Sequence, residues 1–243
     1  MIASLRLAGL LPVLVPQALW VASRAIRLPE AAGPREGTHG TDPTCRVLII
    51  GDSSAAGVGV ETQSDALSGR LVHHLSTQVD LSWSLVAKSG WTSRQLCQAL
   101  AQLPAAPVDL AVVAVGVNDV KNGVHITKWR KNYLAILDLL QRKHGAACVI
   151  ASGVPPLGAF PLLPSPLRGV LGARAAQFDA VLADLCDETP WVAHLPFDEP
   201  LEPAHMARDG FHPGAPIYDV WAAKVVAAAR VTAPKVFSLP TPR

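Results

Sequence analysis

The sequence has few charged residues, and this shortage excludes two classes of protein. Charged side chains make up only 16% of the 243 residues, whereas half of the residues are hydrophobic. A disordered chain has the opposite composition. The 21 Lys and Arg residues are scattered among 19 Asp and Glu residues, so no basic stripe indicates a nucleic-acid partner. The composition is that of a globular protein long enough to bury a sizeable core.

Cysteine is also scarce, and its spacing argues against a metal site. The four cysteines stand at positions 45, 97, 148 and 186 and form no Cys-x-x-Cys pair, which the common zinc sites require. No His-Glu-x-x-His motif is present either, so we expect no metal. Cys97 and Cys148 lie in apolar stretches and are predicted to be buried thiols. An even number of cysteines nevertheless leaves a disulfide open.

Charge is absent from the stretch between Leu7 and Ser23. This stretch is shorter than the roughly 20 residues that a membrane-spanning helix needs, and it contains Pro12 and Pro16. Three interpretations stay open for residues 1–26: a signal peptide, an anchor at a membrane surface, and a segment packed as a lid over an apolar pocket. Depending on which of these holds, the protein is cytoplasmic, exported or associated with a membrane.

The remainder of the sequence predicts an α/β domain. Residues 27–44 are rich in Pro, Gly and Thr and read as a loop or linker. We therefore divide the chain into an N-terminal segment with its linker (1–44) and a main domain (45–243). Short apolar runs, with helical patterns between them, predict strands over 46–51, 81–87, 109–115, 146–151 and 191–195. This alternation favours right-handed crossovers and a three-layer α/β/α fold around a five-stranded parallel sheet, flavodoxin-like in type.

Four short blocks follow the ends of these predicted strands, where active groups gather in such sheets. They read Gly-Asp-Ser-Ser (51–54), Ser-Gly-Trp-Thr (89–92), Gly-Val-Asn-Asp (116–119) and Asp-Gly-Phe-His-Pro (209–213). In this order the blocks resemble those of the SGNH, or GDSL, hydrolase superfamily, and the resemblance covers residues 46 to about 230. It implies an SGNH hydrolase domain over 45–243. Ser54 stands where the motif name has Leu, and Trp91 where many relatives carry Asp.

The resemblance also implies a role for each block. Ser53 would be the nucleophile, His212 its general base and Asp209 the carboxylate that orients the imidazole. The backbone N–H groups of Ser53 and Gly90 and the side-chain amide of Asn118 would form an oxyanion hole. Ser53 and His212 are 159 positions apart, so only the fold can bring them together.

A proline-rich stretch after the fourth predicted strand supplies a candidate substrate pocket. Residues 153–168 contain five prolines together with Leu157, Phe160, Leu162 and Leu163. These apolar side chains predict the wall of an acyl pocket, and their packing onto the core is the structural alternative. Trp91 is a second candidate, as an aromatic wall beside the substrate.

We therefore expect a serine esterase that hydrolyses carboxylic esters of short to medium acyl chains through an acyl-enzyme intermediate. A small-molecule ester is the expected partner, no cofactor is implied, and the oligomeric state is left open. Related alternatives are a thioesterase or lysophospholipase and an O-acetylesterase acting on carbohydrate or peptidoglycan. A non-catalytic flavodoxin-like binding module would share the fold without the activity.

Overall fold

The computed structural model describes residues 2–199 and 202–237. The helices are α1 (Ile2–Arg24), α2 (Leu67–Ser76), α3 (Ser93–Gln102), α4 (Val117–Lys121), α5 (Ile126–Arg142), α6 (Leu167–Asp187) and α7 (Ala215–Thr232). The strands are β1 (Glu36–His39), β2 (Cys45–Gly51), β3 (Leu81–Ala87), β4 (Leu110–Ala114), β5 (Cys148–Ser152) and β6 (Val192–Leu195). Short 3₁₀ helices cover Leu157–Ala159, Pro203–His205 and Pro234–Val236.

Strands β2 to β6 form a parallel sheet in the order β3-β2-β4-β5-β6. These are the five predicted strands, and their boundaries differ from the predicted ones by no more than a residue or two. Because β2 pairs with both β3 and β4, the chain order reverses around it. Ligand sites in open α/β sheets form at such a switch point, outside the carboxyl ends of the strands.

The prediction of five strands is wrong by one edge strand. β1 lies inside the stretch predicted as a linker and pairs antiparallel with β3, from Glu36 opposite Ser84 to His39 opposite Leu81. Its four residues, Glu-Gly-Thr-His, are mostly exposed. A short polar edge strand has no buried face, so its sequence lacks the apolar alternation that identifies a strand.

Helices cover both faces of the sheet, as predicted for a three-layer fold. On β2, Leu48 and Ile50 pack into the core formed with α3, α5 and α6. Their neighbours Val47 and Ile49 point the other way, into the core formed with α2 and α7. Successive strand residues thus serve opposite cores, which is why a strand buried on both faces is nearly continuous in apolar character.

The last helix ties the two ends of the main domain together. α7 begins at Ala215, and Pro216 lies in its first turn, where a missing backbone N–H has no helical partner to lose. The buried Tyr218 hydroxyl contacts the carbonyl oxygens of Ser54 at 2.9 Å and Val58 at 2.8 Å. This contact fixes the start of α7 against the turn that follows β2.

Helix α1 packs on the outside of α6. Within the described part of the chain, no helix has the length and apolar content needed to cross a membrane.

Candidate active site

The turn after β2 holds Ser53 at the carboxyl edge of the sheet. The Asp52 N–H donates to the Ala114 carbonyl at the end of β4 at 3.0 Å. Ala56 and Val58 donate back to the carbonyls of Asp52 and Ser53, both at 3.0 Å. The turn is therefore bonded to the sheet and to itself, and Ser53 stays partly exposed.

The structure brings Ser53, His212 and Asp209 into one hydrogen-bonded line. Ser53 Oγ lies 2.8 Å from His212 Nε2, and His212 Nδ1 lies 2.6 Å from Asp209 Oδ2. A carboxylate only accepts hydrogen bonds, so Nδ1 carries the proton and Nε2 is left as the acceptor for the serine hydroxyl. This is the arrangement in which an imidazole can take a proton from a hydroxyl.

Asp209 is set to remain ionised although its side chain is only 3% exposed. Burial opposes its ionisation, but hydrogen bonds from the His212 ring, the His212 N–H and the Phe211 N–H outweigh burial, so the pKa of Asp209 lies below its ordinary value. Both backbone N–H groups reach Oδ1 at 3.0 Å. The Asp-x-x-His spacing closes this turn locally, because one carboxylate binds the backbone and the ring of the same histidine.

The predicted oxyanion donors also lie at this edge. Among the described residues, no protein acceptor receives the backbone N–H of Ser53 or of Gly90. Gly90 has a φ of +84°, and a Cβ built there would meet nothing within 4 Å. Glycine is therefore favoured by the left-handed backbone and not by crowding within the protein.

The Asn118 side chain is buried and oriented from both ends. Its Nδ2 donates to the Trp91 carbonyl at 3.0 Å and lies 3.5 Å from Asp52 Oδ2, while Oδ1 accepts from Lys121 Nζ at 3.3 Å. The contact with Asp52 is long, so one of the two amide hydrogens is only weakly engaged.

A second buried carboxylate, Asp52, stands directly before Ser53. Burial raises its pKa to about 6, against the opposing effects of the hydrogen bond from the Ser54 N–H and of electrostatic interactions with His212 and Lys121. The Ser54 N–H donates to Oδ1 at 3.1 Å. Asp52 and Asp209 thus share one site, but their pKa values move in opposite directions.

Asp119 is fully buried and braces the start of α3. Its Oδ2 accepts the Ser93 N–H at 2.8 Å and its Oδ1 accepts the Ser93 hydroxyl at 2.7 Å. This role is structural: the carboxylate ties α4, which carries Asn118, to the helix that follows the Gly90 turn.

Two residues near the Gly90 turn are not predicted from the sequence because they lie in the predicted linker. Glu30 accepts the Ser89 N–H at 2.6 Å and pairs with Arg35 at 2.9 Å. Arg35 also donates to the Ala87 carbonyl. Together Glu30 and Arg35 hold the segment 87–89, which precedes Gly90, at both of its ends. A Glu–x₄–Arg spacing in a loop carries no recognised motif, so no signal in the sequence identifies this clamp.

An apolar cavity of about 60 Å³ opens beside Ser53. Its lining is mostly apolar and includes Val115, Val117, Val154, Phe160, Phe211 and Trp221. Of the residues predicted to bind substrate, Phe160 lines this cavity, whereas Trp91, Leu157 and Leu162 do not. Leu157 is fully buried and packs in the core, which is the alternative that the composition of 153–168 left open.

A second His–Asp pair supports the cavity wall and was not predicted. His194 Nε2 lies 2.9 Å from Asp179 Oδ1, and the same oxygen accepts the Val154 N–H at 2.9 Å. Residues 179 and 194 stand on α6 and β6. Only the packing of that helix on that strand brings them together, and fifteen residues of separation give no local pattern.

Metal-binding clusters of three or more His, Cys, Asp or Glu side chains do not occur in the described residues. All four cysteines are free thiols; Cys148 is buried as predicted, but Cys97 is only partly buried.

The model of the GDSL-like lipase/acylhydrolase family matches residues 49–220. No curated protein matches the chain.

Solved structures share the fold at low sequence identity. A lipolytic protein of the G-D-S-L family from Veillonella parvula is 14% identical, with a TM-score of 0.58 over 75% of this chain and 97% of that protein. A carbohydrate acetylesterase family member from Sinorhizobium meliloti is 20% identical, with a TM-score of 0.57 over 78% of this chain and 99% of the other. The psychrotrophic esterase EstA from Pseudoalteromonas is 19% identical, with a TM-score of 0.56 over 76% and 97%. At these identities the likeness shows the fold alone.

Proposed function

Because the chain belongs to the GDSL-like lipase/acylhydrolase family, we propose that it is a serine esterase that cleaves carboxylic esters of short to medium acyl chains. The observation that carries this proposal is the line of contacts Ser53–His212–Asp209, with distances of 2.8 and 2.6 Å. Residues in such a line perform nucleophilic acyl transfer on several unrelated folds.

In the first half of the reaction, Ser53 Oγ attacks the ester carbonyl while His212 Nε2 takes the serine proton. The imidazolium that forms is stabilised by Asp209, which stays ionised because its hydrogen bonds lower its pKa. The tetrahedral intermediate then collapses, and His212 returns the proton to the leaving alcohol. The acyl group remains on Ser53 as an ester.

The charge that develops on the carbonyl oxygen requires donors already in place. The candidates are the N–H groups of Ser53 and Gly90, which have no protein acceptor among residues 2–199 and 202–237, and the weakly engaged hydrogen of Asn118 Nδ2. A single donor of this kind is commonly worth about 3 kcal/mol of activation free energy. In the second half, His212 takes a proton from the water that attacks the acyl carbonyl; the bond between Ser53 Oγ and the acyl carbon then breaks, His212 returns the proton to Ser53 Oγ, and the carboxylic acid leaves.

The cavity beside Ser53 supports an acyl chain as the group held during the reaction. Its lining is mostly apolar, whereas a sugar would call for several polar partners. Its volume of about 60 Å³ is room for only a few water molecules. This size favours the short end of the acyl range, and Phe160 is the predicted residue that would set it.

The test is hydrolysis of p-nitrophenyl esters from acetate to decanoate by the wild-type protein, Ser53→Ala and Ser54→Ala. Ser54 is the matched control because it is the next residue in the chain, whereas among the described residues it is the Ser53 hydroxyl that lies within hydrogen-bond distance of His212 Nε2. We expect Ser53→Ala to fall to background and Ser54→Ala to stay within about tenfold of the wild type, which is the range of a change that removes no catalytic group.

Other outcomes would redirect the proposal. Equal activity of Ser53→Ala and the wild type would exclude Ser53 as the nucleophile. If the wild type were inert on every p-nitrophenyl ester but released acetate from an acetylated sugar, the acetylesterase alternative would replace acyl-chain hydrolysis. Inertness on all esters and thioesters would leave a binding module.

A further inference from the structure

Helix α1 carries most of the exposed large hydrophobic side chains in the described residues. Ten such side chains are exposed in that part of the chain, and seven of them stand between positions 10 and 26, six on α1 and one, Ile26, two residues beyond its end. They are Leu10, Leu11, Val13, Val15, Leu19, Trp20 and Ile26, and Leu19 is 67% exposed. Single exposed apolar residues are ordinary, but their concentration on one element marks an interaction site.

The opposite face of α1 is fixed to the main domain, so the apolar face cannot turn inward. Leu14 is buried and Val21 packs partly against the same core. The Gln17 side chain donates to the Ser165 carbonyl at 2.6 Å and accepts the Leu167 N–H at 3.0 Å. These bonds attach α1 to the start of α6 and hold the outward face, defined by Leu11, Val13, Val15, Leu19 and Trp20, toward the surroundings.

The backbone of α1 suits a position along a membrane surface and not across a membrane. Pro12 and Pro16 lie inside the helix, and each removes the N–H that would pair with the carbonyl four residues earlier. In the hydrocarbon interior an unpaired carbonyl is strongly unfavourable, whereas water and lipid headgroups can pair with it at the surface.

The charge of this segment is complementary to anionic lipid. Residues 1–29 contain Arg6, Arg24 and Arg27 and no Asp or Glu, in a chain whose total charge is only +2. The Arg24 guanidinium lies over the Trp20 ring, 5.0 Å from its centroid. Tryptophan is enriched at the membrane–water interface, and juxtamembrane arginines are attracted by anionic headgroups.

The breadth of the outward face distinguishes a bilayer from a partner helix. Viewed down the helix axis at 3.6 residues per turn, the five side chains of the outward face lie within an arc of about 200°, with Leu11 at one end and Val13 at the other. A partner helix needs only a narrow seam of apolar side chains. A lipid surface into which the helix sinks would contact the whole arc. We propose that the outward face of α1 binds the surface of an anionic phospholipid bilayer.

The experiment is flotation of the full-length protein with phosphatidylcholine vesicles, with and without phosphatidylglycerol. We expect the wild type to float with the phosphatidylglycerol vesicles. The combined change Leu11→Ser, Leu19→Ser and Trp20→Ser should lower the partition coefficient at least about tenfold, because three apolar side chains leave the lipid. Arg24→Gln and Arg27→Gln should lower it about fivefold each.

Matched controls come from exposed positions away from α1. Leu134→Ser, Val220→Ser and Val231→Ser remove the remaining exposed large hydrophobic residues of the described chain, and Lys128→Gln with Lys131→Gln removes two exposed cations on α5. Both controls should float like the wild type. Circular dichroism of each variant checks that it is folded, and the readout does not depend on ester hydrolysis.

Three kinds of result would overturn the proposal. One is a wild type that stays in the aqueous fraction with phosphatidylglycerol vesicles. Another is equal flotation of the wild type and the triple serine variant, or equal flotation with and without phosphatidylglycerol. The third is a concentration-dependent oligomer, seen by analytical ultracentrifugation without lipid, that dissociates in the triple serine variant and binds no vesicle. That result would assign the outward face of α1 to a second copy of the chain.

Discussion

Two His–Asp pairs lie near the carboxyl edge of the sheet, and only one of them reaches a hydroxyl nucleophile. His212 contacts Asp209 through Nδ1 at 2.6 Å, and His194 contacts Asp179 through Nε2 at 2.9 Å. The histidines are almost equally exposed, at 17% and 16% of the side-chain surface. The exposure of the histidine therefore does not separate the candidate catalytic pair from the structural one, whereas the aspartate side chains differ, with Asp209 3% and Asp179 28% exposed.

The pairs differ in what each residue does with its remaining atoms. His212 presents Nε2 to Ser53 at 2.8 Å, and both oxygens of Asp209 are used to hold that one histidine in place. Asp179 instead divides a single oxygen between His194 and the Val154 N–H. The histidine of a His–Asp pair can act as a general base only where its second ring nitrogen faces a group that gives up a proton, as His212 faces Ser53.

Replacing each histidine in turn should give the largest difference in activity between the two pairs. We expect His212→Ala to lower kcat/KM for p-nitrophenyl acetate by at least about 10⁴-fold, because Ser53 would lose its base. His194→Ala removes a hydrogen bond to Asp179, the carboxylate that accepts the Val154 N–H, and we expect kcat/KM within about tenfold of the wild type. Steady-state kinetics of both variants decides the matter, and losses of similar size in the two would show that the pairs do not differ in role.

Replacing the two carboxylates should give effects on kcat that differ almost as widely. Asp209→Asn keeps the shape of the turn but presents the wrong partner to Nδ1, and we expect kcat to fall by about 10³- to 10⁴-fold. Asp179→Asn can still accept the Val154 N–H, so kcat should change by less than about tenfold, with a loss of about 1 kcal/mol in the free energy of unfolding. Kinetics and urea denaturation on the same samples measure both quantities. A large fall in kcat without loss of stability in Asp179→Asn would contradict the structural role.

The sequence allows one of these pairs to be predicted and conceals the other for a physical reason. Asp209 and His212 are bonded within a single turn, so their spacing is itself the motif. Asp179 and His194 meet only because α6 packs on β6, and tertiary contacts leave no local periodicity. Ser53, Gly90 and Asn118 can be predicted from the sequence because each follows a strand, and the parallel topology places the carboxyl ends of these strands at one edge of the sheet.

The same distinction explains the errors in the fold and the pocket. The buried parallel strands are identified by apolar runs, but β1 is polar and exposed, so its composition predicts a linker. The Glu30–Arg35 clamp on the Gly90 turn lies in the same stretch and is not predicted for the same reason. In the stretch 153–168, Leu157 and Phe160 look alike in sequence, yet one is a core residue and the other lines the cavity. Side-chain direction in an irregular loop depends on packing and not on residue type.

Asp52 extends the comparison to a carboxylate that has no histidine hydrogen bond. Burial raises its pKa from 3.8 to about 6, so ionisation is less favourable in the folded protein than in the unfolded chain. The folded protein binds the proton more tightly, and stability is lost as the pH rises from about 4 to about 6. For Asp209 the sign is reversed, because its folded pKa is lowered and its contribution is lost as the pH falls.

We therefore expect Asp52→Asn to unfold with a free energy about 1–3 kcal/mol higher than the wild type at neutral pH, since about two pKa units of difference disappear with the charge. The amide still offers an oxygen to the Ser54 N–H, so the turn is retained. Urea denaturation at a series of pH values from 4 to 8 should show this advantage vanish toward the acid end. Asp209→Asn is the matched control: because the folded pKa of Asp209 lies below 3.8, the same chemical change should destabilise the protein by a nearly constant amount from pH 8 to pH 4, and the deficit should narrow only below about pH 4. For Asp52→Asn, a difference that stays constant across the series would mean that interactions of the charged Asp52 fully offset the cost of burying it, and a deficit at neutral pH would mean that they exceed this cost.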